Sequence, residues 1–270
     1  LHLDPIAQPL LIFGGCYSNL QATQAIKAVA AHHSIPADRC ICTGDIVAYC
    51  AQTAETVALI QDWGVHCVMG NCEESLANNA NDCGCGFGEG SQCDILSAQW
   101  FTYANQQLND EQRQWFSTLP RAIHFSFYGQ RVVVIHGSVS SINQFIFNSH
   151  DDNAFEPEFS RSQADIIIGG HCGIPFTKKI QQRTWHNAGA IGMPANDGTP
   201  RTWYSIMDVH EGKPRITIHP LQYDHVQAAT HMQHAGMNNG YAEALSTGLW
   251  PSMDILPSTE QAMRGIALDF

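Results

Sequence analysis

The chain of 270 residues is 44% hydrophobic and 14% charged, which is typical of a globular protein with a sizeable core and not of a disordered chain. Its net charge of −12 argues against non-specific binding to nucleic acid, because such binding depends on clustered lysine and arginine. The longest apolar runs are strand-sized, so no membrane span is predicted.

The first seventy residues alternate between predicted strands and predicted helices. Short apolar segments at 9–15, 39–44 and 65–70 are typical of buried strands, and apolar residues recur at helical spacing over 19–33 and 53–63. A strand–helix–strand–helix–strand order predicts a parallel sheet with right-handed crossovers.

The pattern changes after residue 70. The segment 71–94 interrupts the alternation, and its stretch NANDCGCGFGEGSQC, rich in glycine, asparagine and cysteine, predicts a loop. Helices are predicted near 95–107 and 110–117. Strands are then predicted in the segments AIHFSFYG, QRVVVIHG, DIIIGGH, TWYSIMDV and PRITIHP, with a hairpin over 174–187.

The C-terminal tail is predicted to differ from the strand-rich part before it. Two helices are expected from about residue 222, and the stretch that contains Pro251 and Pro257 is expected to be irregular. Because the sequence has no internal repeat and no clean linker, we predict one domain at 1–221 with a helical extension at 222–270 packed on it.

Polar residues stand where several predicted strands end. Asp45 follows the second strand, Asn71 the third, and His136 and His171 follow two of the later strands. Ligands of open α/β sheets gather at the carboxyl ends of the strands. One such residue alone is most often part of a turn, but this series predicts a convergent site of oxygen and nitrogen ligands.

The order of these motifs resembles the five-part signature of the calcineurin-like metallophosphoesterases, which reads D-x-H, G-D, G-N-H-D/E, H-G and G-H-x-H. The similarity is greatest to the bacterial diadenosine-tetraphosphatase-like branch. It is carried by IFGGCYSNLQA, CTGDIVAYC, GHCGIPF and HNAGAIGMPANDGTPRTWY, and it covers nearly the whole chain. The resemblance implies a four-layer α/β/β/α sandwich of two facing mixed sheets.

The resemblance also implies a metal site with one complete half. The ligands of the family's second metal correspond to residues that are all present here, namely Asp45, Asn71, His136 and His171. The ligands of the first metal, apart from the shared Asp45, correspond to Gly15, Tyr17 and Gly173, which do not match.

A further difference concerns proton transfer. The family's leaving-group histidine corresponds to Cys72, and the acidic residue after it is retained as Glu73. We therefore assign Cys72 and Glu73 secondary catalytic roles as an expectation. Arg201 is a candidate phosphate contact, although a structural role is the simpler interpretation.

Three interpretations of the altered site remain open. In the first, one Mn, Fe or Zn ion is held by the complete quartet, so one metal per chain is expected rather than two. In the second, replacement ligands rebuild the lost half: Tyr17 is one candidate, and others are Cys16, Cys72, Cys172 and the cysteines 83, 85 and 93. Cys83 and Cys85 are alternatively a loop disulfide or inert thiols. In the third, the protein no longer catalyses and binds a phosphate-bearing ligand or a partner.

The leading functional prediction is a metal-dependent phosphoester hydrolase, either a phosphatase or a phosphodiesterase. The expected partner is a small phosphorylated molecule or a nucleotide. Because the ten cysteines do not form a compact secreted framework, a cytoplasmic location is predicted.

Overall fold

A computed structural model describes residues 1–237 and 240–270 of the chain. Over these residues it forms nine α-helices and ten β-strands. The strands are β1 (Leu10–Phe13), β2 (Cys40–Cys42), β3 (His66–Cys67), β4 (Ile123–Phe127), β5 (Gln130–Val134), β6 (Ile166–Gly169), β7 (Phe176–Ile180), β8 (Arg183–Asn187), β9 (Thr202–His210) and β10 (Lys213–Leu221). The helices are α1 (Leu20–His32), α2 (Thr53–Trp63), α3 (Asn71–Ala77), α4 (Gln92–Gln107), α5 (Asp110–Thr118), α6 (Glu156–Ser162), α7 (His225–His234), α8 (Tyr241–Thr247) and α9 (Ser258–Ala262).

The described strands form two five-stranded mixed sheets. The first has the order β10-β9-β1-β2-β3, with β1, β2 and β3 parallel and β9 antiparallel to β1. The second has the order β4-β5-β6-β8-β7, with β5, β6 and β8 parallel and the outer strands antiparallel. Two facing mixed sheets are what the resemblance implied.

Alternation along each strand divides the core into layers. Leu10 and Ile12 of β1 point towards the second sheet and pack in a cluster with residues such as Val134 of β5. Leu11 and Phe13 point the other way, into the cluster under the helices on the outside of the first sheet. A third cluster covers the outer face of the second sheet and includes residues of α6. The chain is therefore a four-layer α/β/β/α sandwich, as predicted.

The sequence prediction missed some helices. Residues 71–77 form α3, although the segment 71–94 was expected only to interrupt the pattern. The helix forms because two backbone N–H groups at its start are taken up by acceptor side chains. The short helices α6 and α9 were also not predicted; at seven and five residues, they are too short to show a helical periodicity.

The C-terminal extension contacts the rest of the chain through directional hydrogen bonds. The Trp250 indole N–H donates to the Pro194 carbonyl at 2.6 Å, and the Trp250 backbone N–H donates to the Asn196 side chain at 2.8 Å. The Leu268 backbone N–H donates to Asp197 at 3.2 Å. Within the described ranges, no helix combines the length and apolarity that crossing a bilayer requires.

His186 links the two sheets inside the core. It lies on β8 of the second sheet, and its ring nitrogens contact the hydroxyls of Thr177 at 2.8 Å and of Ser205, on β9 of the first sheet, at 2.9 Å. Burial lowers the pKa of His186 to about 3, so the ring is neutral in the folded protein.

This burial predicts a pH-dependent loss of stability. Because the unfolded chain binds a proton near the ordinary pKa of about 6.5, stability falls as the pH drops from about 6.5 towards 3. At pH 5 this loss of unfolding free energy is about 2 kcal/mol. Replacing it with glutamine should flatten the curve of unfolding free energy against pH in this window, measured by urea unfolding. The same change at exposed His32 serves as the control, and an unchanged slope in H186Q would refute the assignment.

Candidate metal centre

Four polar side chains meet where the two sheets bring their carboxyl ends together. Asp45 follows β2, and Asn71 opens α3 after β3 of the first sheet; His136 follows β5 and His171 follows β6 of the second sheet. All four residues are buried. The structure thus brings together every residue of the quartet that the sequence predicted as metal ligands.

Two glycines permit this close approach. A Cβ on Gly70 would lie 2.4 Å from the Asp45 backbone nitrogen. A Cβ on Gly44, whose φ is +95°, would lie 2.8 Å from the Gly70 nitrogen and 2.9 Å from Nδ1 of His136. Any larger residue would force these loops apart, which gives a physical reason for the glycine before Asp45 and the glycine before Asn71.

The ligand atoms converge on one ring nitrogen. Nε2 of His136 lies 3.0 Å from Oδ1 of Asn71, 3.0 Å from Nδ1 of His171 and 3.3 Å from Oδ2 of Asp45. The ligand atoms of Asp45, His136 and His171 all lie within 4.8 Å of one another. Ligand atoms that bind one cation at roughly 2.0–2.2 Å lie about 3.0–3.5 Å from one another. The three distances from Nε2 of His136 therefore suit one transition-metal ion.

The hydrogen-bond chemistry also suits a cation. Nδ1 of His136 lies 2.7 Å from the Thr43 carbonyl oxygen and must donate its proton there. A neutral His136 therefore has only a lone pair at Nε2, and this lone pair faces two further acceptors, the oxygens of Asp45 and Asn71, as well as Nδ1 of His171. Such a group of lone pairs needs a positive charge at its centre, either a proton or a metal ion.

Electrostatic effects in the site agree with this account. Burial alone would raise the pKa of Asp45 and lower that of His136, but their mutual attraction reverses both shifts, so the pKa of Asp45 falls and that of His136 rises. Burial and the neighbouring charge of His136 lower the pKa of His171 to about 3. His171 is therefore neutral and keeps a lone pair for a metal.

A cavity opens beside the quartet, next to Asp45 and His171. Its lining comes from widely separated parts of the chain, including the C-terminal extension. The sequence prediction did not identify its aromatic residues other than Tyr17, because no motif or spacing connects them. These residues are Tyr49, Phe87, Phe145, Tyr241 and Trp250.

The sequence profile described as "Calcineurin-like phosphoesterase superfamily domain" matches residues 18–212 of the chain. The chain belongs to this superfamily. The matched residues include the quartet and all the described strands except β1 and β10, so the predicted family is confirmed.

Individual relatives agree with this assignment. The chain is 24% identical over 232 residues to the uncharacterized protein MJ0912 of Methanocaldococcus jannaschii, covering 80% of this chain and 88% of that protein. A metallophosphoesterase from Sphaerobacter thermophilus has a similar crystal structure, with a TM-score of 0.70, 22% identity and coverage of 90% and 100%. A proposed diadenosine tetraphosphatase is similar at a TM-score of 0.51, 13% identity and coverage of 82% and 97%. At these identities, the structures establish a shared fold.

One aromatic ring lies across the positions that the resemblance assigned to the first metal. A Cβ on Gly15 would lie 2.5 Å from Cζ of Tyr17, and a Cβ on Gly173 would lie 3.6 Å from the Tyr17 hydroxyl oxygen. The Tyr17 ring thus covers Gly15 and reaches towards Gly173. The three mismatched positions therefore belong to one steric arrangement, in which a tyrosine occupies the space next to two glycines.

The chemistry of Tyr17 differs from that of a metal-bound phenolate. Burial and the charge of Asp45 raise the pKa of Tyr17 well above its ordinary value, so its hydroxyl remains protonated. The ring packs edge-on against Tyr49 with ring centroids 4.8 Å apart. These contacts favour a packed side chain over a replacement ligand.

The cysteines considered as replacement ligands lie in different places. Cys83 and Cys85 form a disulfide, one of the alternatives left open by the sequence, and Cys85 and Cys93 line the cavity. Cys172 also lines the cavity, and its thiol contacts the Ile174 carbonyl at 3.5 Å. Cys16 lies in the core beneath the helices.

The disulfide contacts the metal quartet through Asn71. The Asn71 side-chain nitrogen donates to the Cys83 carbonyl oxygen at 2.9 Å and to the Cys85 sulfur at 3.3 Å. These contacts turn the amide oxygen towards His136. The loop that the sequence treated as a separate feature therefore fixes the orientation of a predicted ligand.

Cys72 and Glu73, predicted as secondary catalytic residues, both lie beside Asp45 and outside the lining of the cavity. The Cys72 backbone N–H donates to Asp45 at 3.3 Å. Burial, followed by the charges of Asp45 and Glu73, raises the pKa of the Cys72 thiol well above its ordinary value, so the thiol is neutral. A proton-transfer role for Cys72 stays a prediction.

Glu73 supports the loop that carries Asp45. Its carboxylate accepts backbone N–H groups from Asp45 at 2.8 Å, Gly70 at 3.0 Å and Val47 at 3.1 Å. Burial and the charge of Asp45 raise the pKa of Glu73 to about 8, whereas the bond from Val47 opposes this shift. Because all three partners are donors, the arrangement suits a carboxylate and a positioning role.

Removing one acceptor oxygen from Glu73 should therefore destabilise the protein. In Glu73→Gln, an amide group would face backbone donors, which should lower the unfolding free energy by roughly 1–3 kcal/mol and weaken metal binding. Urea unfolding and calorimetric Mn²⁺ titration would measure both effects. Glu74→Gln, at the neighbouring half-buried position paired with Arg121, is the matched control. Normal stability and metal affinity combined with lost hydrolysis would instead support the catalytic role.

Proposed function

We propose that this chain is a metal-dependent phosphoester hydrolase that holds one divalent transition-metal ion with Asp45, Asn71, His136 and His171. The observation that carries the proposal is the convergence of two carbonyl or carboxylate oxygens and one ring nitrogen within 3.3 Å of Nε2 of His136, whose other nitrogen donates to the Thr43 carbonyl. The metal dependence of the superfamily to which the chain belongs supports it as well.

The mixed oxygen and nitrogen ligands suit Mn, Fe or Zn. Such an ion, when bound, polarises a phosphoryl oxygen and makes a water more acidic. Other groups of the protein position these ligands. The Thr43 carbonyl fixes the tautomer of His136, the disulfide loop orients Asn71, and the Glu73 carboxylate holds the backbone of Asp45 in place. Hydrolysis joins a water oxygen to phosphorus and breaks the bond to the leaving alcohol, which receives the proton that the water gives up.

The expected substrate is a small phosphorylated molecule, with nucleotides included. The similarity to a proposed diadenosine tetraphosphatase supports this class. A cytoplasmic location is part of the proposal: eight of the ten cysteines are free, which favours a reducing compartment, whereas the Cys83–Cys85 disulfide argues against one. Arg201 is bound to the Leu268 carbonyl and to Asp197, which favours a structural role over phosphate contact.

Metal analysis combined with hydrolysis assays tests this function. Protein purified without added metal should contain about one Mn, Fe or Zn ion per chain and should hydrolyse generic phosphoesters. His136→Ala should weaken metal binding by about 100-fold or more and abolish turnover, because it removes the central ligand. His32→Ala, at an exposed position, should change neither property.

Each alternative outcome has a distinct meaning. Full metal content and activity in His136→Ala would contradict the site assignment. One tightly bound metal without turnover of any phosphomonoester or phosphodiester would contradict the hydrolase and support the binding protein that the sequence left as the alternative.

Replacing Tyr17 distinguishes a single-metal site from a rebuilt two-metal site. Tyr17→Phe keeps the ring beside Gly15 and removes only the hydroxyl, so metal stoichiometry and affinity should stay within about twofold of the parent protein. Elemental analysis and calorimetric titration measure both quantities. Two ions in the parent and one in the variant would show that the phenol is a ligand, and so would loss of a visible absorption band in the iron-loaded protein.

A further inference from the structure

The cavity beside the quartet is poor in positive charge. No lysine or arginine is found among the described residues that line it, and Asp45 contributes a negative charge. A bound metal ion would therefore be the main source of positive charge beside a substrate in this cavity. Because the chain as a whole carries a charge of −12, its surface adds no attraction for anions.

Neutral hydroxyl groups take the place of cationic groups in this lining. Tyr17, Tyr49 and Tyr241 all border the cavity. A phenol hydroxyl can donate to a phosphoryl oxygen, but it does not balance a second negative charge.

The rest of the lining is apolar and aromatic. Phe145 stacks on the His171 ring with centroids 4.2 Å apart, and Phe87 stacks on Phe145 at 6.3 Å. Trp250 borders the cavity too, and a Cβ on Gly173 would lie 3.6 Å from its indole ring. Because its N–H is bound to the Pro194 carbonyl, this ring is held in place. Flat rings beside the reacting group can stack on a flat substituent.

From this charge and shape we infer that the cavity selects phosphodiesters, which carry one negative charge, with a planar aromatic group on at least one ester arm. The inference rests on the proposed function and specifies its substrate class. A phosphomonoester carries two negative charges above its second pKa of about 6, and an oligophosphate carries more. A lining without lysine or arginine offers no cationic side chain for the second charge of a monoester, so it favours the diester.

Two substrates with the same leaving group test the charge preference. Bis(p-nitrophenyl) phosphate and p-nitrophenyl phosphate both release p-nitrophenolate, so they differ mainly in charge and in the second aromatic arm. At pH 8 we expect kcat/KM for the diester to exceed that for the monoester by at least about tenfold. An equal or greater value for the monoester would overturn the inference.

A binding measurement that does not depend on turnover accompanies this assay. Calorimetric titration should show diphenyl phosphate binding at least about tenfold more tightly than phenyl phosphate, with dimethyl phosphate as the diester that lacks rings. Trp250→Ala should weaken the binding of diphenyl phosphate by about tenfold and leave the affinity for dimethyl phosphate unchanged. Tyr128→Ala, at an exposed aromatic residue on the β4–β5 turn, is the control. Equal binding of diphenyl and dimethyl phosphate would contradict the role of the rings.

A lysine and a methionine introduced at the same position of the cavity lining form a matched pair of variants that differ in charge. Ile255 lines the cavity and is only half-buried, so a lysine there can keep its ammonium group partly solvated. Ile255→Lys should reduce the preference for diphenyl over phenyl phosphate by at least about threefold, whereas Ile255→Met, of similar length and no charge, should leave it unchanged. An identical preference in both variants would contradict electrostatic selection.

The two proposals fail in different ways. Loss of all turnover with esters of either kind, in protein that still binds metal, contradicts the hydrolase. Efficient turnover of the monoester that depends on His136 leaves the hydrolase intact and overturns only the choice of substrate class.

Discussion

The site depends on the position of His136 between the two sheets. Its Nδ1 is held by the Thr43 carbonyl of the first sheet's β2 loop, although the residue itself follows β5 of the second sheet. This one hydrogen bond fixes the tautomer and turns Nε2 towards Asp45, Asn71 and His171. The relative placement of the sheets and the chemistry of the site are therefore coupled: if the sheets moved apart, the ligand atoms would separate.

Much of the surrounding structure stabilises this arrangement without contributing a ligand. Glu73 accepts three backbone N–H groups and so holds the Asp45 loop against the start of α3. The disulfide loop holds the Asn71 amide, and Phe145 packs on the ring of His171. Each ligand is thus oriented by a second contact, as expected for a centre that binds a metal without large rearrangement.

The three positions at which the chain differs from the family's first-metal signature form one steric arrangement. Tyr17 could not adopt its position if Gly15 carried a side chain, and its hydroxyl lies beside the position of a side chain on Gly173. The Tyr17 ring is part of an aromatic wall that Tyr49 and, from the C-terminal extension, Trp250 continue. This wall adds apolar surface and no positive charge beside the quartet, which supports a substrate of low charge.

The sequence by itself determined the succession of strands and the positions of the quartet, because both depend on local patterns, and its motifs carried the resemblance that implied the family and the sandwich. Short apolar runs mark buried strands, and Asp45, Asn71, His136 and His171 each stand where one ends. Short helices were missed: the start of α3 is stabilised by a tertiary hydrogen bond from the Cys72 N–H to Asp45, while α6 and α9 span too few residues to show a periodicity.

Only the tertiary structure decided the rest. Whether Tyr17 binds a metal or fills the space of one depends on its approach to Gly15 and Gly173, the latter more than 150 residues away in the chain. The role of Glu73 depends on which backbone groups face its carboxylate, and the cavity wall depends on where the extension places Trp250. Such contacts between distant segments are set by packing in three dimensions, which leaves no periodicity or motif in the sequence.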